Sequence, residues 1–395
     1  KCDNLNRIIH DGAVYVVNDK ICAVGKKQEI HKNYSAKTIL DGENKIVLPG
    51  LINTHSHSVQ TLLRGKADDL ALLDWLRQII LPGESTFEPE EVYTSSLLGF
   101  AEMIRTGTTT TNDMLTTHDS EEGIRAAIKS GIRTRIGKML MDINNQFPDN
   151  MINDTEEIIE TVYDHINKYH RSYNCRIRYS LNARFLLSCS PQLMKEIAQI
   201  HNEIPDILIH THASESQAEC KAVERMYNKS YIRALKELGV LGPRTILAHG
   251  IWLDDEEFEI IKKTNTKIAH NPSSNAKLAS GICDVTKYHQ QGIIVGLATD
   301  GAPSNNNLDM FREMRLATFL QKLKHLNEKA LPAVKVLRMA TIEGAKAINM
   351  EKEIGSLEVG KKADIIQVNI NDVNAYQELQ PPEPLLNQTA LSIPT

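Results

Sequence analysis

The apolar positions of this chain keep two different rhythms. Short, unbroken apolar runs each end in a polar residue and a turn: Ile207-Leu208-Ile209 before His210-Thr211-His212, Thr245 to Ala248 before His249-Gly250, and Ile293 to Ala298 before Thr299-Asp300-Gly301. Runs of this kind predict strands covered on both faces. Between them the apolar residues recur at helical spacing over Pro89 to Arg105, Ser120 to Ser130, Thr155 to Tyr169, Pro191 to His201 and Asp255 to Lys263. Further strands fall near Thr108 to Asn112, Arg133 to Met139, Arg176 to Leu181 and Lys267 to His270. Strand ends near His55, Asn112, Met139, Leu181, His212, His249, His270 and Asp300 give a β/α alternation of the length that closes a (β/α)8 barrel.

The two ends of the chain have a different style. Gly12 to Val17 and Lys20 to Val24 predict a hairpin around Asn18-Asp19, and a turn-rich stretch from Gly355 leads into the apolar Ile365-Ile366-Gln367-Val368. The fold expected is therefore α/β, a (β/α)8 barrel with a small β-sandwich domain built from both chain ends. Its parts are residues 1–46, a barrel over 47–350, and residues 351–395. The final segment, from Pro381-Pro382 to Thr395, has the composition of a loop or tail.

Composition narrows the function classes. A chain of 395 residues has room for about two domains around one large core. Its net charge of −5 comes without long like-charge runs, so no nucleic-acid or membrane-surface partner is expected. No stretch reaches the roughly 18 apolar residues of a membrane span. Cys2, Cys22, Cys175, Cys189, Cys220 and Cys283 include no C-x-x-C pair, which suits reduced thiols in a cytoplasmic enzyme. The amino terminus shows no apolar signal segment.

Chemistry enters at Thr54-His55-Ser56-His57. Side chains at i and i+2 of a strand share a face, so both imidazoles can converge on one ion. His212, His249 and Asp300 fall at the carboxyl ends of later strands, where barrel active sites form. Taken singly, His249 would be a satisfied core histidine and Asp300 a cap for a helix over Leu308 to Leu316. Together, His55, His57, His212 and Asp300 make a three-imidazole, one-carboxylate site for a single divalent metal ion. Zn2+ is the expected ion and Fe2+ the alternative, with a position left for water. Such an ion makes hydroxide available near neutral pH. Asp300 can take the water's proton, Glu215 can shuttle it to a ring nitrogen and a departing amine, and His249 can orient the hydroxide or stabilise charge.

The motifs Pro49 to His57, His212-Ala213-Ser214-Glu215, Ala248-His249-Gly250, His270-Asn271-Pro272-Ser273-Ser274-Asn275 and Thr299 to Asn306 resemble those of the amidohydrolase superfamily. Within it they look like the branch of methylthioadenosine/S-adenosylhomocysteine deaminases, 5′-deoxyadenosine deaminases and chlorotriazine hydrolases. The similarity runs from Asp11 to about Asp372. It implies the same roles for the residues above, and the lack of a lysine in the strand ending near Leu181 implies one ion, not two. Leu81-Pro82-Gly83-Glu84 resembles deaminases in which this glutamate binds ribose hydroxyls, against the alternative of a solvated loop acid. Arg184, beside Phe185, matches a motif that faces planar heterocycles, and Gln60 can face the same pocket.

Gln60 to Asp69, Asn112-Asp113-Met114, Gly137 to Asp142 and Asn305 to Met310 lean toward nucleoside deaminases. The function expected is hydrolytic removal of the 6-amino group from a purine nucleoside of the 5′-deoxyadenosine, methylthioadenosine or S-adenosylhomocysteine type, releasing ammonia. The alternatives are a guanine-type free-base deaminase, an s-triazine hydrolase and, more remotely, an inactive binding relative. The expected partner is a small heterocyclic amine substrate, and a homo-oligomer is expected. Relatives close the small domain with a further strand, whereas here Asn374 to Pro384 reads as interrupted by proline, which predicts an open sheet edge prone to self-association.

Overall fold

The computed structural model describes residues 1–3 and 5–370. Strands β1 (Gly12–Val17) and β2 (Lys20–Lys26) form the expected antiparallel hairpin. Asn18 turns it in the left-handed region at φ 56°, which Asn tolerates better than most residues. Strand β3 (Lys45–Pro49) then passes straight into β4 (Leu51–His57), the first barrel stave. Gly50 between them is required sterically, because a Cβ there would lie 2.0 Å from the Thr109 hydroxyl.

The other staves are β5 (Thr108–Met114), β6 (Arg133–Gly137), β8 (Ile177–Ala183), β9 (Leu208–Ala213), β10 (Thr245–His249), β11 (Lys267–His270) and β12 (Val295–Leu297). Each pairs in parallel with the next. The ring closes through β13 (Asp300–Gly301), which pairs in parallel with β4 at Asp300↔Ser56 and Gly301↔His57. β12 and β13 are one interrupted stave, bound to β4 across the gap by Asn53 Nδ2 donating to the Thr299 hydroxyl at 2.7 Å. One strand differs from expectation. The run from Arg133 breaks at Lys138, and β7 (Met139–Leu140) pairs separately with β8. Gly137 sits against the Ser180 carbonyl, where a Cβ would lie 2.2 Å away, so the chain can cross close to β8 and pair again beyond it.

The helices wrap the barrel as the apolar spacing demands. Pro89–Arg105 starts with proline at its first position behind a Glu88/Glu91 capping box, and it buries Val92, Phe100 and Met103. Asp309, not Asp300, caps the helix Met310–His325, accepting from the Phe311 amide at 2.8 Å. Asp300 is thereby left for the barrel rim. Glu84, too, is no solvated loop acid: it ends the short helix Leu81–Glu84 and is fully buried.

Both chain ends meet beneath the barrel. β14 (Ile365–Asn369) pairs antiparallel with β3, and Arg133 grips Asp364 through two hydrogen bonds of 2.8 and 2.9 Å. A bridge between Lys20 and Lys362 links this pair to the β1–β2 hairpin. Among the described residues the small domain thus consists of two two-stranded sheets. The expected break over Asn374 to Pro384 lies outside the described residues. No helix among the described residues is long and apolar enough to cross a membrane.

Candidate metal and catalytic site

His55 and His57 leave the end of β4, His212 the end of β9, and Asp300 the far part of the eighth stave. One donor atom from each of the four lies within 4.8 Å of all the others, and all four residues are buried. His55 Nε2 is 3.2 Å and His57 Nε2 3.5 Å from Asp300 Oδ1. The four residues that the sequence proposed as ligands are therefore brought together.

The far side of each ring explains how its inward nitrogen is presented. His57 Nδ1 faces the Met114 carbonyl at 3.1 Å and His212 Nδ1 the Arg184 carbonyl at 2.7 Å. A carbonyl only accepts, so each Nδ1 carries the proton and each Nε2 turns a bare lone pair inward. Those two Nε2 atoms stand 3.1 Å apart. Facing lone pairs at that separation repel unless a cation or proton lies between them, so the donor set fits a metal ion. Burial first, and the neighbouring imidazoles second, hold the His57 and His212 pKa well below the ordinary histidine value. Neutral imidazole is the ligating form. Burial pushes the Asp300 carboxyl up, but the hydrogen bond from His55 and the surrounding imidazoles outweigh it and keep it ionised.

Glu215 lies just past β9. Its Oε2 is 3.4 Å from His249 Nε2, and its Oε1 accepts from the Ser280 hydroxyl at 3.4 Å. Burial, reinforced by the Asp300 charge, raises its pKa well above the usual carboxylate range, as suits a group that must hold a proton near neutrality. The Glu219 carboxylate accepts from the Glu215 amide at 2.8 Å and fixes the turn. His249 ends β10, with Nδ1 2.8 Å from Asn275 Oδ1 and Nε2 open toward Glu215 and Asp300. Ser214, His249 and Asp300 all adopt left-handed backbone, at φ 53°, 75° and 63°. Strain of this kind costs roughly 1–3 kcal/mol per residue and collects where side-chain aim matters more than stability.

Beside the cluster is a small pocket lined by the polar His57, Gln60, Arg184, His212, Glu215 and Asp300 and by the apolar Leu72, Trp75, Leu76, Phe185 and Leu278. Gln60 and Arg184 therefore reach the pocket. Glu84 is not in its wall but stands directly behind, accepting from Gln60 Nε2 at 3.0 Å. Glu84 Oε1, Gln60 Oε1 and His249 Nε2 are buried without hydrogen-bond partners, a costly arrangement unless a ligand supplies them.

Sequence reasoning missed several supports. His210 Nε2 lies 2.7 Å from His55 Nδ1, and Ser274 donates to Asp300 Oδ2 at 2.6 Å. The first had a signal, since His210 and His212 are two apart on one strand and share a face. Ser274 and Asn275 lie in the His270 to Asn275 motif, which drew attention to the segment without giving either residue a role. Trp75 had no signal, because its approach depends on how separate segments fold over the rim.

An eight-stave barrel with this His3Asp group at its carboxyl rim has the architecture of a metal-dependent barrel hydrolase. Residues 46–387 match the amidohydrolase family, and the chain belongs to it. It is 39% identical over 364 residues, 92% of this chain and 80% of the other, to a 5-methylthioadenosine/S-adenosylhomocysteine deaminase 1 of Syntrophus aciditrophicus. It is 40% identical, over 91% and 81% of the two chains, to the 5′-deoxyadenosine deaminase of Methanothermobacter thermautotrophicus. Among solved structures, an adenosine deaminase from Xanthomonas campestris with bound zinc superposes with TM-score 0.90 at 29% identity, covering 97% of this chain and 85% of that one. The guanine deaminase of E. coli gives 0.87 at 27% identity, over 92% and 84%.

Proposed function

We infer that this protein is a hydrolytic deaminase of 6-amino purine nucleosides, of the 5′-deoxyadenosine, methylthioadenosine or S-adenosylhomocysteine type. The observation that carries the reading is the buried Glu215 carboxyl facing His249 beside the His55–His57–His212–Asp300 group, in a chain about 40% identical to deaminases of that type over nine-tenths of its length.

His55, His57, His212 and Asp300 would hold one divalent ion, zinc in our reading. When bound, it supplies a water acidic enough to be the nucleophile near neutral pH. Asp300 Oδ2 and Glu215 Oε2 stand ready to receive the proton released. Glu215, whose environment favours its protonated form, gives that proton to the purine ring nitrogen, then takes one from the attacking water and passes it to the amine, which leaves as ammonia. The hydroxyl's remaining proton goes to Asp300 as the carbonyl forms. His249 holds its own ring proton at Nδ1 against Asn275, so its Nε2 accepts a hydrogen bond and orients the nucleophile. Arg184 lies in the same wall and donates to the heterocycle, while Phe185, Trp75 and the leucines exclude water from it. Gln60 Oε1 and Glu84 Oε1, both lacking partners, are the acceptors for ribose hydroxyls. Six free cysteines fit a cytoplasmic enzyme.

The test is ammonia release by zinc-loaded protein from adenosine, 5′-deoxyadenosine, methylthioadenosine, S-adenosylhomocysteine, guanine and an aminotriazine. At least one 5′-modified adenosine should give kcat/KM of about 10⁴ M⁻¹s⁻¹ or more, the lower end for enzymes on their own substrates. Guanine or triazine as the best substrate, or no ammonia from any, would overturn the reading.

A further inference from the structure

The segment Asn112-Asp113-Met114, at the end of β5, does not line the pocket, yet every residue of it grips the strand that carries His55 and His57. Asn112 Nδ2 donates to the Thr54 carbonyl at 3.1 Å. The Asp113 carboxylate takes three hydrogen bonds: from the Ser56 hydroxyl at 2.5 Å, the Ser58 amide at 3.0 Å and the Ser58 hydroxyl at 2.8 Å. The Met114 carbonyl orients His57 Nδ1. Asp113 is completely buried, and its hydrogen bonds come from the serines on either side of His57.

The pairing of the two strands shows why such a grip is needed. Asn53 pairs with Thr111 and Ser56 with Asp113, so β4 spends three residues where β5 spends two. The extra residue is a bulge, and it falls at Thr54-His55. A bulge re-aims side chains at the price of ladder hydrogen bonds. Here the Asn112 side chain satisfies the Thr54 carbonyl within the bulge, and the Asp113 carboxylate holds the chain on its far side.

We propose that Asp113 is a positioning residue for metal capture, fixing the bulge so that His55 and His57 aim their Nε2 atoms at one point. The proposal rests on the metal reading above and deepens it. Ser56 and Ser58 flank His57, so losing the carboxylate frees the strand to relax toward regular pairing, which turns neighbouring side chains to opposite faces.

The test measures zinc affinity, not turnover. Protein stripped with a chelator is titrated with Zn2+ against a chromophoric competitor, and circular dichroism and melting report the fold of each variant. Asp113→Ala should weaken zinc by about tenfold to a hundredfold, the usual effect of removing a support behind a metal ligand. Asp113→Asn keeps an oxygen where the Ser56 hydroxyl and Ser58 amide converge, and the Ser58 hydroxyl can rotate to accept, so its affinity should stay within about threefold of the parent. Should Asp113→Ala not fold, Ser58→Ala carries the test, with weakening of roughly tenfold expected from the loss of one hydrogen bond to a charged group. A folded Asp113→Ala, or in its stead Ser58→Ala, that binds zinc as the parent does overturns the proposal. So does an Asp113→Asn as weak as Asp113→Ala, since charge and not geometry would then be at work. A parent protein that binds no zinc at one ion per chain would instead overturn the metal reading itself.

Discussion

Replacing Glu215 by Gln keeps the shape of the side chain and removes only its ability to carry a proton. Gln can still accept from Ser280 through one oxygen, so the pocket should remain assembled. A positioned acid–base group contributes typically about 10² to 10⁴ in rate, or roughly 3–5 kcal/mol at 1.36 kcal/mol per factor of ten. kcat for the best nucleoside should fall by that factor, with KM changed by less than about threefold because binding is left intact. Stability should move the other way. Burial and the Asp300 charge raise the Glu215 pKa in the folded protein, so above the unfolded value the unfolded chain ionises while the folded one resists. That difference lowers stability as pH rises toward the folded pKa. The amide carries no such penalty. With the metal removed, Glu215→Gln should melt higher than its parent at pH 8, and the gap should shrink toward pH 4. Ammonia-release kinetics and paired melting curves measure both arms. A variant that keeps more than a tenth of the parental kcat, or loses activity only through KM, would refute the proton-shuttle role.

Glu84→Ala should lower kcat/KM for nucleosides by roughly tenfold to a hundredfold, the value of a hydrogen bond to a charged acceptor, while free adenine changes little; equal losses would remove the ribose contact. Asp206 pairs with the fully buried Arg135 at 2.7 Å, so Asp206→Ala strands a buried charge at a cost of about 3–5 kcal/mol. For a chain this long that is a drop of roughly 4–6 °C in Tm, and a loss below one degree would show the pair to be dispensable. Glu313, in the helix Met310–His325, is pushed up to about 7 by burial, against hydrogen bonds from Ser273 and Asn305 that favour its ionised form. Because its folded pKa is raised above the ordinary 4.5, stability should decline by up to about 3 kcal/mol between pH 4.5 and 7. Glu313→Gln should flatten that slope in urea titrations, and an unchanged slope would count against it.

What the chain alone determined are the features set by local period. Apolar runs that end in a polar residue fixed the staves, and helical spacing fixed Pro89–Arg105, Ser120–Ser130 and Thr155–Tyr169 to the residue. The barrel is then the consequence, since parallel strands buried on both faces need helices on the outside and ligands at their carboxyl ends. His55, His57, His212 and Asp300 were legible for that reason: each falls at the carboxyl end of a predicted strand, where barrel sites form. Tertiary structure decided the rest, because no period reaches across the sequence. The bulge at Thr54-His55 exists only against β5. The contacts of His210, Ser274 and Asn275 with the site depend on the ring being closed. Burial of Glu84 behind Gln60 depends on how the segment from Leu72 to Glu84 folds over the rim. Strand ends choose which side chains face the site, but their aim and protonation come from neighbours tens to hundreds of residues away, brought there by closing the barrel.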